Sequence, residues 1–422
     1  YKEVIMPKIK IEGNHELSGT ITVGGAKNSV VALIPAAILC DETVTISNVP
    51  DITDVDDLEK ILVHLNAKIE RSPGTVVINS SDIINKEITQ ELSKKLRASY
   101  YFMGALLGKF NRVDMYFPGG CAIGARPINL HLKGFESLGA TITEEDNHFI
   151  IEAKKLHGNN IYLDFPSVGA TINIMLAAVK AKGKTVIDNA AQEPEIVNIA
   201  TYLNNMGAKI KGAGTSTITI IGVKHLHKCF HEVIPDRIEA GTYLIIASLL
   251  GKNLKIDNMI PNHLEALIAK LTESGVEMQI GLDNIIVNAK KKYLATDIKT
   301  LVYPGFATDL QQIMATFLTQ CKGRSVIEET IYENRFQNLE YLNKMGAKTK
   351  VKKDNRKAII KGPTKLKGTC VSATDLRGGA SLLVAALIAE GTTTIDNVAY
   401  ILRGYDKIIE KLTSVGAKIE LI

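Results

Sequence analysis

One cysteine stands where a reactive thiol belongs. Cys121 lies near the centre of Pro118-Gly119-Gly120-Cys121-Ala122-Ile123-Gly124-Ala125-Arg126-Pro127, a glycine-rich stretch with the cation Arg126 beside its last residue. A structural cysteine normally sits in apolar core, whereas small neighbours, access and a nearby arginine favour a thiolate. The alternative is a fortuitous loop cysteine. Cys40 and Cys321, at the ends of apolar segments, read as core thiols, and so do Cys229 and Cys370. Asp309 follows Thr308 at an expected helix start. It is either a carboxylate balancing the helix dipole or a general base. Arginine is scarce beside lysine, yet Arg97, Arg126, Arg237, Arg335, Arg377 and Arg403 all fall in glycine-rich turns or at helix starts. Only arginine offers a planar, bidentate fork to phosphate or carboxylate; structural ion pairs are the plainer use. His131 reads first as a packing or helix-end group.

These residues need elements to hold them, and the chain repeats one set of elements six times. A Gly-Ala-Lys-Ile tag recurs as Asn66-Ala67-Lys68-Ile69, Gly139-Ala140-Thr141-Ile142, Gly207-Ala208-Lys209-Ile210, Gly275-Val276-Glu277-Met278, Gly346-Ala347-Lys348-Thr349 and Gly416-Ala417-Lys418-Ile419. The spacing is about 70 residues, which marks a repeated folding unit. Each copy predicts an apolar helix, a β-branched strand, an Asn-containing turn, a second helix and a hairpin. The apolar helices are expected at 26–39, 93–107, 170–181, 238–250, 308–320 and 378–389. They are apolar nearly all round, so they should be buried. Their openings crowd small residues, hydroxyls and charges: Gly24-Gly25-Ala26-Lys27-Asn28, Leu96-Arg97-Ala98-Ser99, Ser167-Val168-Gly169-Ala170-Thr171, Pro235-Asp236-Arg237, Ala307-Thr308-Asp309 and Asp375-Leu376-Arg377. Helix starts present unpaired N–H groups and partial positive charge, suited to phosphate or carboxylate. Ordinary N-capping is the alternative. The expected class is α/β with mixed sheets. The copies divide three and three, into a domain of 24–234 and a second of 1–23 plus 235–422, with strands in 8–23 returning to pair with the second half.

The chain has 422 residues and a formal net charge of +5, compatible with anionic small ligands. It has no basic stripe with interleaved aromatics, which argues against nucleic acid. The five cysteines are odd in number and lack a Cys-x-x-Cys, so neither a disulfide framework nor a zinc site is suggested. No signal-peptide layout opens the sequence, and its most apolar stretches are too short to span a bilayer. A reducing, cytoplasmic setting is expected.

Several of these motifs together carry a resemblance. Gly25-Ala26-Lys27-Asn28, the cysteine stretch from Pro118 to Pro127, Ser167-Val168-Gly169-Ala170-Thr171, Thr308-Asp309, Glu333-Asn334-Arg335, Ala373-Thr374-Asp375-Leu376-Arg377 and Arg403-Gly404-Tyr405 resemble the UDP-N-acetylglucosamine 1-carboxyvinyltransferase family of enolpyruvyl transferases. The resemblance runs in order from about residue 8 to the end. It implies an inside-out α/β barrel, with six repeats in two three-repeat domains closing over a cleft. It implies transfer of enolpyruvyl from phosphoenolpyruvate to the 3′-hydroxyl of UDP-N-acetylglucosamine, the first committed step of peptidoglycan synthesis. Phosphate is lost through a tetrahedral ketal, without metal or cofactor.

By the same resemblance, Lys27 and Asn28 contact phosphoenolpyruvate, and Arg126, Arg335, Arg377 and Arg403 hold its phosphate and carboxylate. Lys27 and Arg403 count with the catalytic set, and Arg97 lines the site. Cys121 protonates the enol, forms an adduct with phosphoenolpyruvate and is alkylated by fosfomycin. Arg126, Pro127, Ile128, Asn129, Leu130 and His131, with Ser167, Val168, Gly169 and Ile331, form the sugar-nucleotide subsite. Asp309 is the base on the sugar hydroxyl. A monomer is expected. One departure matters: Phe165-Pro166 precede Ser167 where some members carry a lysine, so a nucleotide contact from that lysine is not implied. Two rivals remain. The shikimate-pathway enolpyruvyl transferase lacks the Gly-Gly-Cys-x-Ile-Gly loop. A silent paralogue that binds the sugar nucleotide as a regulator would not need Lys27, Cys121, Asp309 and Arg403 together.

Overall fold

The computed structural model describes residues 7–117 and 128–422. Strands and helices alternate and the sheets are mixed, so the chain is an α/β protein. It divides into two compact units: a middle unit within residues 25–234 and an end unit of residues 7–24 and 235–422.

Each unit is built on three helices buried along most of their length. In the middle unit they are α1 (Lys27–Ala36), α2 (Tyr101–Phe110) and α3 (Val168–Ala178). In the end unit they are α4 (Arg237–Leu250), α5 (Thr308–Leu318) and α6 (Leu376–Ile388). A helix without a polar stripe needs apolar neighbours on every side. The sequence meets that need by packing α2 on both α1 and α3, and α5 on both α4 and α6. Close approach is enforced at Gly104, where a Cβ would lie 2.3 Å from the Asn173 carbonyl oxygen of α3.

Three sheets accompany each trio of helices. In the first, the central strand Thr43–Ser47 pairs antiparallel with Thr75–Asn79 and parallel with Cys229–Glu232. Its Val44 and Ile46 are buried while their neighbours are not, the period of a strand with one covered face. The chain's opening strands complete two sheets of the end unit. Ile9–Glu12 lies between Thr392–Asp396 and Lys418–Leu421, antiparallel to both, and Leu17–Thr22 runs parallel to Gly251–Asp257. The recurrent tag is a helix stop. Gly207 has φ +100°, and its counterpart Asn66 has +72°. This left-handed geometry suits glycine or asparagine after a helix.

A second recurrent device follows the central strands. Asn48, Asn189, Asn258 and Asn397 each take a positive φ just past the strand. Each side-chain amide then donates to the neighbouring parallel segment: to the carbonyls of Val233 (2.8 Å), Leu163 (2.7 Å) and Val23 (2.8 Å), and to Ser372 Oγ (2.8 Å). Two central strands lack the asparagine. Phe117 follows Arg112–Tyr116, and Glu329 follows Cys321–Glu328.

Two expectations are corrected. The helix expected over 93–107 is interrupted. Gln90–Lys95 ends at Leu96, whose backbone is extended (φ −136°, ψ 114°) and whose side chain is buried, and a 3-10 turn Arg97–Tyr100 leads into α2. Cys370 is exposed on a short strand, so it is no core thiol, whereas Cys40 and Cys321 are buried. Among the described residues no helix is long and apolar enough to cross a membrane.

Replacing Asn258 by alanine should lower stability by about 2 kcal/mol, summing a left-handed backbone penalty and a lost hydrogen bond. Asn258→Gly should cost roughly half that, because it keeps the backbone freedom. Urea unfolding followed by fluorescence checks this; an unshifted midpoint for the alanine variant contradicts it.

Candidate active site

In the end unit, the starts of α5 and α6 bring one carboxylate and two guanidinium groups together. Asp309 sits in the first turn of α5, and Arg377 in the first turn of α6. Arg335 precedes the helix Asn338–Lys344. Arg335 Nη2 donates to Asp309 Oδ1 at 2.7 Å, and Arg377 Nη2 to Oδ2 at 3.3 Å. Both arginine side chains are nearly inaccessible (2% and 3% exposed), while Asp309 keeps 25% exposure. The carboxylate is therefore the member of the trio that solvent or a ligand can reach. Buried ions persist only when paired and hydrogen-bonded, and this trio is incompletely satisfied. Among the described residues, Arg335 Nε and Arg377 Nη1 are buried with no hydrogen-bond acceptor.

Each guanidinium is also held from behind. Arg335 lies over the Tyr332 ring at 5.0 Å, and Arg377 over Tyr405 at 5.3 Å. Tyr405 Oη is 2.9 Å from Thr242 Oγ1, whose proton goes to the Ile238 carbonyl, so the phenol donates to the threonine. Burial opposes the charge on Arg377, but Tyr405, Asp309 and Asp236 outweigh it and raise its pKa. Asp375 caps α6 by accepting from the N–H groups of Arg377 and Gly378, both at 2.9 Å. Asp236 caps α4 in the same way, and Arg237 beside it lies over the Tyr303 ring at 5.5 Å. The capping reading therefore holds at α4, α6 and, through Ser167, α3. By contrast, α1 and α5 have no side-chain cap. Arg403 is half-buried at the end of the short helix Ala399–Leu402, and Ile331 is half-buried after the strand Cys321–Glu328.

In the middle unit, Lys27 opens α1 and pairs with Asp54, Nζ to Oδ2, at 2.8 Å. A cation at the positive end of a helix is unfavourable; the 2%-exposed Asp54 side chain offsets it. Asn28 follows on the same turn and is half-buried. Arg97, in the 3-10 turn before α2, lies 5.6 Å over the Phe117 ring. Ile128 is buried, Leu130 half-buried and Asn129 exposed at the head of Asn129–Ser137.

His131, on that helix, meets the start of α3. The Gly104 N–H donates to Asn173 Oδ1 at 2.8 Å, which leaves Asn173 Nδ2 to donate to His131 Nδ1 at 2.9 Å. The ring proton therefore resides on Nε2. Gly169 is needed here: a Cβ would come within 2.9 Å of His131 Cε1 and 3.0 Å of the Tyr100 hydroxyl. Burial, aided by the charge of Arg97, pushes the His131 pKa down to about 3. Ser167, Val168 and Gly169 form the α3 start beside it. Three sequence-predicted residues, Cys121, Arg126 and Pro127, lie outside the described residues.

Sequence reasoning missed Asp54, Asn173 and Glu329, which position Lys27, His131 and Thr308. For Glu329 a signal existed, since it breaks the asparagine pattern. A possible metal-binding trio, Glu87, Asp114 and His148, has its ligand atoms within 4.8 Å of one another. Arg112 lies 3.5 Å from Asp114, a cation that works against a metal there.

The comparisons with known proteins agree with one another. Residues 11–412 match the family model of EPSP synthase (3-phosphoshikimate 1-carboxyvinyltransferase). UDP-N-acetylglucosamine 1-carboxyvinyltransferase 2 of Listeria innocua is 53% identical over 98% of this chain and 97% of its own length. The protein of that name from Bacillus subtilis is 51% identical, over 98% and 96%. The chain belongs to the enolpyruvyl transferase family. Among solved structures of enolpyruvyl transferases, NikO from Streptomyces tendae superposes with a TM-score of 0.89 at 26% identity, covering 99% of both chains. EPSP synthase from Acinetobacter baumannii shares the fold, with a TM-score of 0.75 at 17% identity over 99% of this chain and 100% of its own.

In this family member, His131 should remain a neutral, Nε2-protonated imidazole at pH 5, where an unperturbed histidine is mostly charged. The unfolded chain binds that proton below about pH 6.5 and the folded one does not, so acidification from there toward pH 3 should erode stability. Nitrogen-15 NMR of the ring reads the charge state; an imidazolium at pH 5 contradicts the burial argument.

Proposed function

We propose that the protein transfers enolpyruvyl from phosphoenolpyruvate to the 3′-hydroxyl of UDP-N-acetylglucosamine, releasing phosphate, at the first committed step of peptidoglycan synthesis. The observation that carries this reading is Asp309 clasped by two buried arginines that each keep an N–H without an acceptor. Such donors favour an anionic ligand, because an unmet buried N–H costs free energy that a phosphate or carboxylate oxygen recovers. The acceptor sugar follows from the name shared by relatives 51–53% identical over nearly the whole chain. The shikimate-type reading has behind it the family model and a likeness of fold at 17% identity, against full-length relatives 51–53% identical for the sugar nucleotide.

The proposed chemistry divides among the residues as follows. Cys121 gives a proton to the enol methylene carbon, leaving an oxocarbenium-like centre between phosphate and carboxylate. Lys27, Arg126, Arg335, Arg377 and Arg403 hold those two groups, with Asn28 and Arg97 beside them. Fixed cations of this kind stabilise charge without reorganising. The sugar hydroxyl adds to that centre as Asp309 takes its proton. Phosphate then leaves, and loss of a methyl proton to the Cys121 thiolate left by the first step restores the double bond. Ile128 to His131, Ser167 to Gly169 and Ile331 receive the nucleotide sugar. The proposal includes an inside-out α/β barrel of six repeats, a monomeric state, a cytoplasmic location and no metal or cofactor.

Phosphate release tests the reaction. Release is expected with UDP-N-acetylglucosamine and not with shikimate 3-phosphate. The reverse preference, or tight sugar-nucleotide binding without turnover, overturns the proposal. Fosfomycin should label the wild-type protein covalently and leave Cys121→Ser unlabelled by intact-mass spectrometry; a labelled serine variant removes Cys121 from the mechanism.

A further inference from the structure

Glu329 occupies the position that asparagine holds after four other central strands, and its side chain reaches the place that three of those asparagines reach, the residue just past the neighbouring parallel strand. Thr300 Oγ1, next to the strand Ile298–Lys299, donates to Glu329 Oε1 at 3.0 Å. The carboxylate does more than the asparagines do. Oε1 also accepts from the N–H groups of Ile331 at 2.8 Å and Tyr332 at 3.1 Å, and Oε2 accepts from Thr308 Oγ1 at 2.9 Å. Glu329 is fully buried. Four donors converge on two oxygens, an arrangement that an acceptor-only carboxylate satisfies and an amide does not.

The contact with Thr308 has a consequence. A hydroxyl has one proton, and that of Thr308 is committed to Glu329. Its lone pairs are left to receive Arg335 Nη1 at 2.7 Å. The adjacent Nη2 of the same planar fork is the group that holds Asp309 at 2.7 Å. We propose that Glu329 is a positioning residue for the transfer reaction: by taking the Thr308 proton it fixes the hydroxyl with a lone pair turned to Arg335, and so aims the guanidinium that holds Asp309. This rests on the roles proposed above for Asp309 and Arg335. Glu329 itself touches neither of them, and its effect passes through Thr308.

The test uses the full chain in three forms: Glu329→Gln, Thr308→Val and the double variant. Glutamine keeps the shape and one oxygen for Thr300, Ile331 and Tyr332, but presents an amide N–H to Thr308. Valine removes the relay and leaves Glu329 in place. Each single variant should raise KM for phosphoenolpyruvate about tenfold, as for loss of one charge-assisted hydrogen bond at the site. KM for UDP-N-acetylglucosamine should stay within about twofold in Glu329→Gln, because the backbone contacts to Ile331 and Tyr332 persist. The double variant should be no worse than either single one, which a merely structural role would not produce. Additive effects, or a wild-type KM in Glu329→Gln, overturn the proposal. Crystals of Glu329→Gln decide independently of any substrate. Arg335 is expected to leave its contact with Thr308 and turn from Asp309; a guanidinium still seated on both overturns the proposal. Failure of wild-type turnover with the two substrates would count against the proposed reaction alone, and the crystallographic arm would still judge Glu329.

Discussion

A single carboxylate shared by two buried guanidinium groups is the constraint on which the end unit's chemistry depends. Asp309 meets Arg335 and Arg377 with one oxygen each, and neither arginine is reachable by solvent to any useful extent. Burying charge is costly even when it is paired. Asp236 and Asp375 add their charges to that of Asp309 around Arg377, and the trio stands at the uncapped start of α5. It persists because the three helices and their sheets fix the groups in place: Tyr405 beneath Arg377, Tyr332 beneath Arg335, and Asp375 on the start of α6. The N–H groups of Arg335 and Arg377 left without an acceptor among the described residues are what the proposed anion would satisfy.

The scaffold explains why such groups can be aimed at all. Apolar helices buried along their length present only their ends to polar surroundings, so a polar side chain that needs such surroundings can stand in a first turn or in the loop before it. Lys27, Ser167, Arg237, Asp309 and Arg377 all do. The turns after the central strands are otherwise standardised by asparagine. The two departures make contacts of their own: Phe117 lies beneath Arg97, and Glu329 holds Thr308.

What the sequence made legible follows from the range of the interactions involved. Strands, second helices and their glycine stops are local, and Lys184–Asp188 and Pro194–Asn205 stand where β-branched runs and helical spacing put them. The carboxylate and arginines of the end unit were readable as types at helix starts, but their convergence was not, since Asp309 and Arg377 are distant in sequence. Asp54 and Asn173 were missed for the same reason, and Glu329 was missed although it breaks the asparagine pattern. Each acts through a partner in another element, and a lone Asp, Asn or Glu carries no local sign of burial. The broken helix before α2 was unreadable because Leu96 leaves helical geometry to bury its side chain, a tertiary preference that overrides helical spacing. Exposure of Cys370 was equally invisible, because a strand residue faces in or out according to register.

The most direct test of the central claim is the single-turnover rate of Asp309→Ala, measured beside its affinity for UDP-N-acetylglucosamine. If the clasped carboxylate takes the sugar's proton, the rate should fall by roughly two to four powers of ten, while affinity stays within a few-fold. A variant that turns over at nearly the wild-type rate would contradict the account.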